Sequence, residues 1–226
     1  MSTSRTTVRR FAPQDDTHSA DQCCKTIAQA LSPASSDGIF SSNPKDSIAR
    51  WTAMLGNYCR RQSKDQLLHT LPGFESSALA YRFSEASPED APEPLGIIDL
   101  GQYSRAETAP MRVEFLKWLG ENRKAFFEVH GDFLILSFLG TKPEMQGQGM
   151  GSLVLDHLDD LADEQGIWTY LEASTEDSRR LYKRHGYEDI SHKAWVPKDF
   201  GVDLDTKLDI FLMGRPPKPA KTANGL

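Results

Sequence analysis

The sequence predicts an α/β domain, and three observations carry that prediction. Residues 133–139, Phe-Leu-Ile-Leu-Ser-Phe-Leu, are a short continuous apolar run, the mark of a strand buried on both faces. A glycine-rich turn follows, Gln146-Gly147-Gln148-Gly149-Met150-Gly151, and leads into a helical pattern. A second strand-like run, 167–173, and a short helix, 176–185, come next. At 226 residues the chain is long enough for one such domain with a sizeable core.

Taken in order, residues 7–11 read as the opening strand, and Ala12-Pro13-Gln14-Asp15 leads into a capped helix over 17–31. Ile27 and Leu31 stand at i, i+4 on it. Residues 32–43 are rich in Ser, Pro and Gly and read as a loop. A helix over about 44–61 places Ile48, Trp51, Leu55 and Tyr58 on one face, with Trp51 and Tyr58 assigned to the core. Strands are predicted near 77–84 and 95–101, separated by an acidic, proline-rich hairpin insert at 84–94. A helix over 108–127, with Val113, Leu116, Trp118 and Leu119, precedes the strand at 133–140. The helix after the glycine turn covers roughly 150–164. Its buried stripe is Leu153, Val154, Leu158 and Leu161, and Asp156, Asp159, Asp160, Asp163 and Glu164 form a solvated face. A last strand falls at 207–214. The domain thus runs over 6–214, and the basic, proline-rich tail 215–226 is expected to be disordered.

Composition excludes some functions. A net charge of −6 argues against nucleic acid as a partner, because phosphate neutralisation needs clustered Lys and Arg. It is compatible with a cationic amine. The polar start Met1-Ser2-Thr3-Ser4-Arg5 lacks the apolar core of a secretory signal, and no apolar stretch approaches the ~20 residues that span a bilayer. Of the three cysteines, Cys23 and Cys24 are adjacent and neither a disulfide framework nor metal-ligand spacing is present. A cytoplasmic protein with reduced thiols, no metal and no membrane contact is expected.

Glycines bring bare backbone N–H groups close to a ligand, and at a helix start those groups lack internal partners and sit at the positive end of the dipole. The turn is therefore a phosphate-binding device. It is not a nucleoside-triphosphate loop, since Gly151 is followed by Ser152-Leu153 with no Lys. It also fails the dinucleotide spacing, because its glycines read Gly147-x-Gly149-x-Gly151. The string matches Q/R-x-x-G-x-G/A, with Pro143 three residues upstream. Thirty residues on, Thr175-Glu176-Asp177-Ser178 leads into Leu181-Tyr182 and then Gly186-Tyr187. Together these segments resemble the two signatures of the GNAT acyltransferase superfamily, with Thr175 and Ser178 standing where that family often has Asn and Ala.

The resemblance implies a mixed, mostly antiparallel sheet with splayed fourth and fifth strands, flanked by helices. It implies acetyl-CoA as donor, its pyrophosphate held by the backbone N–H groups of Gln146, Gly147, Gln148, Gly149, Met150 and Gly151, with Ser152 able to add a hydroxyl. Pantetheine would pair with main-chain groups of Leu139 and Thr141 beside Gly140, as an added strand would. Thr175 and Ser178 are further implied contacts. In the family the amine attacks the thioester directly in a ternary complex. Tyr182 falls where the family's tyrosine protonates the leaving thiolate, and a phenol of pKa about 10 suits that task. For the base, Glu172 is the best candidate, because a strand-interior carboxylate is costly to bury without a purpose. Glu128 and His130 are weaker candidates, and His185 is read as a helix C-terminal residue. The expected acceptor is a small-molecule amine. A protein or peptide acceptor, and a non-catalytic acyl-CoA-binding module, are the competing readings.

Overall fold

A computed structural model describes residues 7–32, 39–41, 43–60, 66–85 and 105–219. In chain order these form β1 (Arg9–Phe11), α1 (Thr17–Leu31), α2 (Ser47–Arg60), β2 (Gln66–Thr70), β3 (Ser76–Phe83) and α3 (Ala109–His130). Then come β4 (Phe133–Thr141), α4 (Met150–Gln165), β5 (Trp168–Ala173), α5 (Glu176–Arg184), β6 (Glu188–Trp195) and β7 (Leu208–Arg215). The strands make one sheet in the order β1-β2-β3-β4-β5-β7-β6. Neighbours pair antiparallel except β4 and β5, which run parallel. The expected mixed, mostly antiparallel sheet is found.

Both faces of β4 are covered, which is why its sequence is almost wholly apolar. On one side Ile27 of α1, Leu55 and Tyr58 of α2, and Met111, Leu116 and Phe126 of α3 bury Phe133, Ile135 and Phe138. On the other, Val154, Leu155 and Leu158 of α4 and Tyr182 of α5 share a cluster with Leu136, Leu171 and Met213. The approach of α1 to β4 depends on one glycine. A Cβ on Gly140 would lie 2.6 Å from the Ile27 Cα, so any side chain there would push the helix off the strand.

Several expectations need correction. The partner of β3 on its outer edge is β2, over residues 66–70, a strand the sequence reading left out. Gln66-Leu67-Leu68-His69-Thr70 is short, with a polar residue at each end and His69 beside the last, so its apolar run is only two residues long. The strand near 95–101 and most of the insert 84–94 lie outside the described residues. β6 was also missed: Glu-Asp-Ile-Ser-His-Lys-Ala-Trp is an edge strand whose side chains, Trp195 excepted, are mainly exposed, so it has no apolar face to read. On the helices, Ile48, Val113 and Leu153 are exposed, whereas Asp159 is buried rather than part of the solvated face. Arg215, placed with the tail by its sequence, ends β7 opposite Thr169, and its guanidinium donates to Asp163 at 2.8 and 2.7 Å. The residues from 220 onward are outside the described set. Cys23, Cys24 and Cys59 are buried thiols that form no disulfide among the described residues. Among the described residues no helix is long and apolar enough to cross a membrane.

β2 also brings a buried histidine under α4. The His69 ring lies 5.4 Å from that of His157. Burial, helped by His157 and Arg10, holds the His69 pKa down from 6.5 to about 3. The fold thus disfavours the cation, so this contribution to stability is complete above about pH 6.5 and is lost as pH falls toward 3. Between pH 8 and pH 5 the loss from this group is expected to be about 2 kcal/mol by chemical denaturation. His69→Leu should remove that share of the slope; an unchanged slope would contradict the assignment.

Candidate active site

β4 pairs with β3 from Phe83↔Phe133 to Ala80↔Leu136 and resumes at Leu79↔Phe138, leaving Ser137 as an extra residue. Such a bulge bends its strand and sharpens the twist. On the other edge the parallel pairing with β5 runs from Phe133↔Trp168 to Leu136↔Leu171 and stops there. β4 continues to Thr141 and β5 to Ala173. The two strands therefore part at the bulge, and the β4 edge over 137–141 has no β5 partner. Leu139, Gly140 and Thr141 lie on this stretch. The Gly140 carbonyl accepts from Ser76 Oγ at 3.2 Å, and the Thr141 carbonyl accepts from Gln146 Nε2 at 3.2 Å.

At the end of β4 a short 3₁₀ turn, Pro143–Met145, leads into the glycine run. Gly147 and Gly149 adopt φ of 74° and 81°, left-handed values that side chains resist. Gly149 is the N-cap of α4, with no side-chain cap. The first helical bond is Leu153 N–H to Gly149 O. From Gly147 to Ser152, no backbone N–H donates to an acceptor among the described residues. Among the described residues these six successive donors at a helix start have no protein acceptor, the arrangement that suits an anion. Gln146 and Gln148 do not extend outward; each side-chain amide ties the loop back to a carbonyl, those of Thr141 and Glu144.

Across the gap, β5 leads into α5. Thr175 and Ser178 form a capping box, Thr175 Oγ1 accepting from Ser178 N–H at 3.1 Å and Ser178 Oγ accepting from Thr175 N–H at 3.3 Å. Both hydroxyls are therefore occupied in starting the helix. The helix ends on the αL residue Gly186, φ 89°. Gly186 N–H bonds Lys183 O and Tyr187 N–H bonds Tyr182 O, the Schellman pattern. The accompanying apolar contact is Tyr182 against Tyr187, ring centroids 5.8 Å apart. Part of the spacing Leu181-Tyr182…Gly186-Tyr187 is thus the geometry of a helix end. Tyr182 is buried, and burial alone pushes its phenol pKa above the ordinary value, which keeps the proton on the oxygen.

Glu172 follows Leu171, the last residue of β5 paired to β4. It faces the α3 side of the sheet, opposite Tyr182. Both of its oxygens accept from Arg123 of α3, at 2.8 Å from Nε and 2.8 Å from Nη2. Each of these side chains is 13% exposed. Arg123 Nη1 also reaches the Tyr81 hydroxyl at 3.5 Å. The carboxylate that the sequence singled out is therefore the half of a bidentate pair. Glu128 is exposed on α3, and His130 packs against Trp168 with ring centroids 4.1 Å apart and planes tilted by 37°. His185 is the α5 C-cap, as expected. Among the described residues no three His, Cys, Asp or Glu side chains gather as a metal site.

Residues 112–189 match the family model of the acetyltransferase (GNAT) domain. Over that segment the chain is similar to a GNAT acetyltransferase domain. Its fold is shared by solved structures across nearly the whole chain. A polyamine N-acetyltransferase of Drosophila melanogaster, described as forming N-acetylagmatine, is 15% identical with a TM-score of 0.61, covering 93% of this chain and 99% of its own. A Corynebacterium glutamicum protein described as histone acetyltransferase HPA2 and related acetyltransferase is 16% identical, TM-score 0.58, covering 95% and 98%. A mosquito arylalkylamine N-acetyltransferase-like protein is 13% identical, TM-score 0.58, covering 93% and 100%. At these identities the likeness extends to the fold. A search of curated protein sequences finds no match.

The structure brings the glycine turn, the free β4 edge and the Tyr182 helix to one parting of the sheet. Sequence reasoning missed two contributors, Ser137 as the bulge and Arg123 as the partner of Glu172. Arg123 was legible in principle: Leu116, Leu119, Arg123 and Phe126 repeat at helical spacing, so an arginine occupies a core-facing position and needs an internal acid. Glu172→Gln leaves that guanidinium buried without its counter-charge and is expected to cost about 3–5 kcal/mol in denaturation. The double variant Arg123→Gln/Glu172→Gln should recover much of that loss; equal instability in the double variant would contradict the pair.

Proposed function

We propose that this protein transfers an acetyl group from acetyl-CoA to the amine of a small molecule by direct attack in a ternary complex. The observation that carries the proposal is the parting of β4 from β5 after Leu136, with six unclaimed N–H donors at one end and Tyr182 beside the point of divergence. Acetyl-CoA supplies the activated thioester. The residues over 146–152 fit its pyrophosphate, because two positive-φ glycines present bare backbone where a side chain would stand. The β4 edge at Leu139, Gly140 and Thr141 fits an extended amide-bearing arm as added-strand pairing. Gly140 has a further duty, since its missing Cβ makes room for α1. For Thr175 and Ser178, engaged in capping, the proposed role is to fix the start of α5.

Tyr182 is the proposed acid. Buried and protonated, it donates its proton to the thiolate as the C–S bond breaks. Glu172 is the proposed carboxylate on the amine side. With both oxygens on Arg123, it receives the amine proton after the guanidinium has yielded one of them. A small acceptor is favoured because α1, α2 and α3 cover the sheet face that carries Glu172. The polyamine and arylalkylamine acetyltransferases that share this fold point the same way, and the histone acetyltransferase relative keeps a peptide acceptor as the second reading. A cytoplasmic setting is proposed with it, from the three buried thiols.

Free-thiol release from acetyl-CoA, measured against a panel of small amines and lysine peptides, tests the function. Small amines are expected to give the faster release, and Tyr182→Phe to lower kcat by about 10²–10⁴ with little change in acetyl-CoA affinity. Unchanged turnover would remove Tyr182 from the mechanism. Binding of acetyl-CoA with no thiol released from any acceptor would make the protein a binding module instead.

A further inference from the structure

At the start of α4 three side chains are linked in a chain, and two of them, His185 and Asp156, have no part in the proposed reaction. His185, the C-cap of α5, places Nε2 3.2 Å from Ser152 Oγ. Its Nδ1 lies 3.0 Å from Asp156 Oδ1 and 3.8 Å from Asp159 Oδ2. A carboxylate only accepts, so Nδ1 carries a proton and donates to Asp156. In the neutral imidazole, Nε2 is then a lone pair, and the Ser152 hydroxyl must spend its proton on it. Ser152 sits in the first turn of α4, at the end of the run of free N–H donors. An anion at that turn would meet a hydroxyl oxygen whose proton points away. With a second proton on His185, Nε2–H donates to Ser152 Oγ, and the hydroxyl turns its own proton toward the anion.

We infer that His185, held by Asp156, is a positioning residue that lets Ser152 donate to the donor's pyrophosphate only when the imidazole is protonated, so that binding takes up a proton. The inference rests on the reading of the glycine turn as the acyl-CoA cradle. It extends that reading, because the backbone donors are indifferent to pH whereas Ser152 is not.

The groups facing His185 set the direction. Asp156 and Asp159 of α4 favour its cation; Arg184 of α5 and Lys218, beyond β7, oppose it, and burial opposes it most, holding the free protein's His185 below its ordinary pKa. Asp159 is partly committed elsewhere, accepting from the Tyr187 hydroxyl at 2.8 Å with Arg215 Nε 3.8 Å away, and burial raises its own pKa to about 6. Asp156, Asp159, Arg184, His185 and Lys218 line one open cleft of about 500 Å³, so protons reach the imidazole from solvent. An anion at the helix start adds negative charge near the imidazole, which favours its cation in the complex. Affinity must therefore rise as pH falls.

Isothermal titration with dephospho-CoA tests this, in buffers of different ionisation enthalpy between pH 6 and pH 8. That ligand retains the pyrophosphate and lacks the phosphomonoester that itself titrates near neutrality. The wild-type protein is expected to take up a fraction of a proton and to bind about three- to tenfold more tightly at pH 6 than at pH 8. Ser152→Ala, which keeps only the direct pull of the anion's charge on His185, should take up less of a proton and show a shallower profile. His185→Gln, whose amide donates to Ser152 at every pH, should give a flat profile near the wild-type affinity at pH 6. Wild-type binding without proton uptake, or the same pH dependence in Ser152→Ala, overturns the relay and leaves the cradle standing. No binding of dephospho-CoA or CoA by the wild-type protein overturns the cradle and the relay together.

Discussion

The extra residue at Ser137 is the constraint on which the rest of the site depends. Up to Leu136, β4 is held on both edges, by β3 and by β5. A parallel pair can end only where something bends one strand away, and a bulge does that without unpairing the other edge, which resumes at Phe138. The consequence is a strand five residues long whose β3 side is bonded and whose β5 side is open. Polar backbone left open in the middle of a sheet is costly unless a partner is supplied. In this fold the open edge, the glycine turn at its far end and the tyrosine helix at its near end meet at one opening.

Around that opening, two kinds of residue do different work. Gly140, Gly186 and the Thr175–Ser178 capping box are architectural: they let α1 touch the strand and start and stop α5. Gly147, Gly149 and the N–H groups up to Ser152 leave donors unspent. A signature motif mixes the two, so matching its letters does not by itself separate a contact from a turn. Tyr187 illustrates the point: its ring closes the helix end and its hydroxyl ties the turn to Asp159 of α4. Tyr182 is buried in that motif, and burial holds its proton on the oxygen.

How much of this was legible in the sequence follows from how each feature is encoded. β4, α4 and β5 carry contiguous apolar signals because helices cover both faces of the sheet, and they were read with nearly their observed bounds. The glycine turn was legible because positive φ and bare backbone require glycine. β2 and β6 were not, since a short strand with polar ends and an exposed edge strand leave no period-2 apolar face. The bulge was illegible: Ser137 interrupts an apolar run, and only pairing on both edges shows that the interruption is the point of divergence. Glu172 was found as an anomaly, a carboxylate inside a strand, but its partner lies 49 residues away on α3. The Ser152–His185–Asp156 chain joins residues from the two ends of separate helices, which no local pattern records.

The central claim is that the free β4 edge and the unclaimed N–H groups of the glycine turn form one acyl-CoA site. Backbone amide NMR during titration with CoA addresses it directly. The account predicts that the amides of Gly147 to Ser152 shift downfield as they gain an anionic acceptor, with the amides over 137–141 shifting at the same ligand concentrations. Saturable CoA binding that leaves the Gly147 to Ser152 amides unmoved would contradict it.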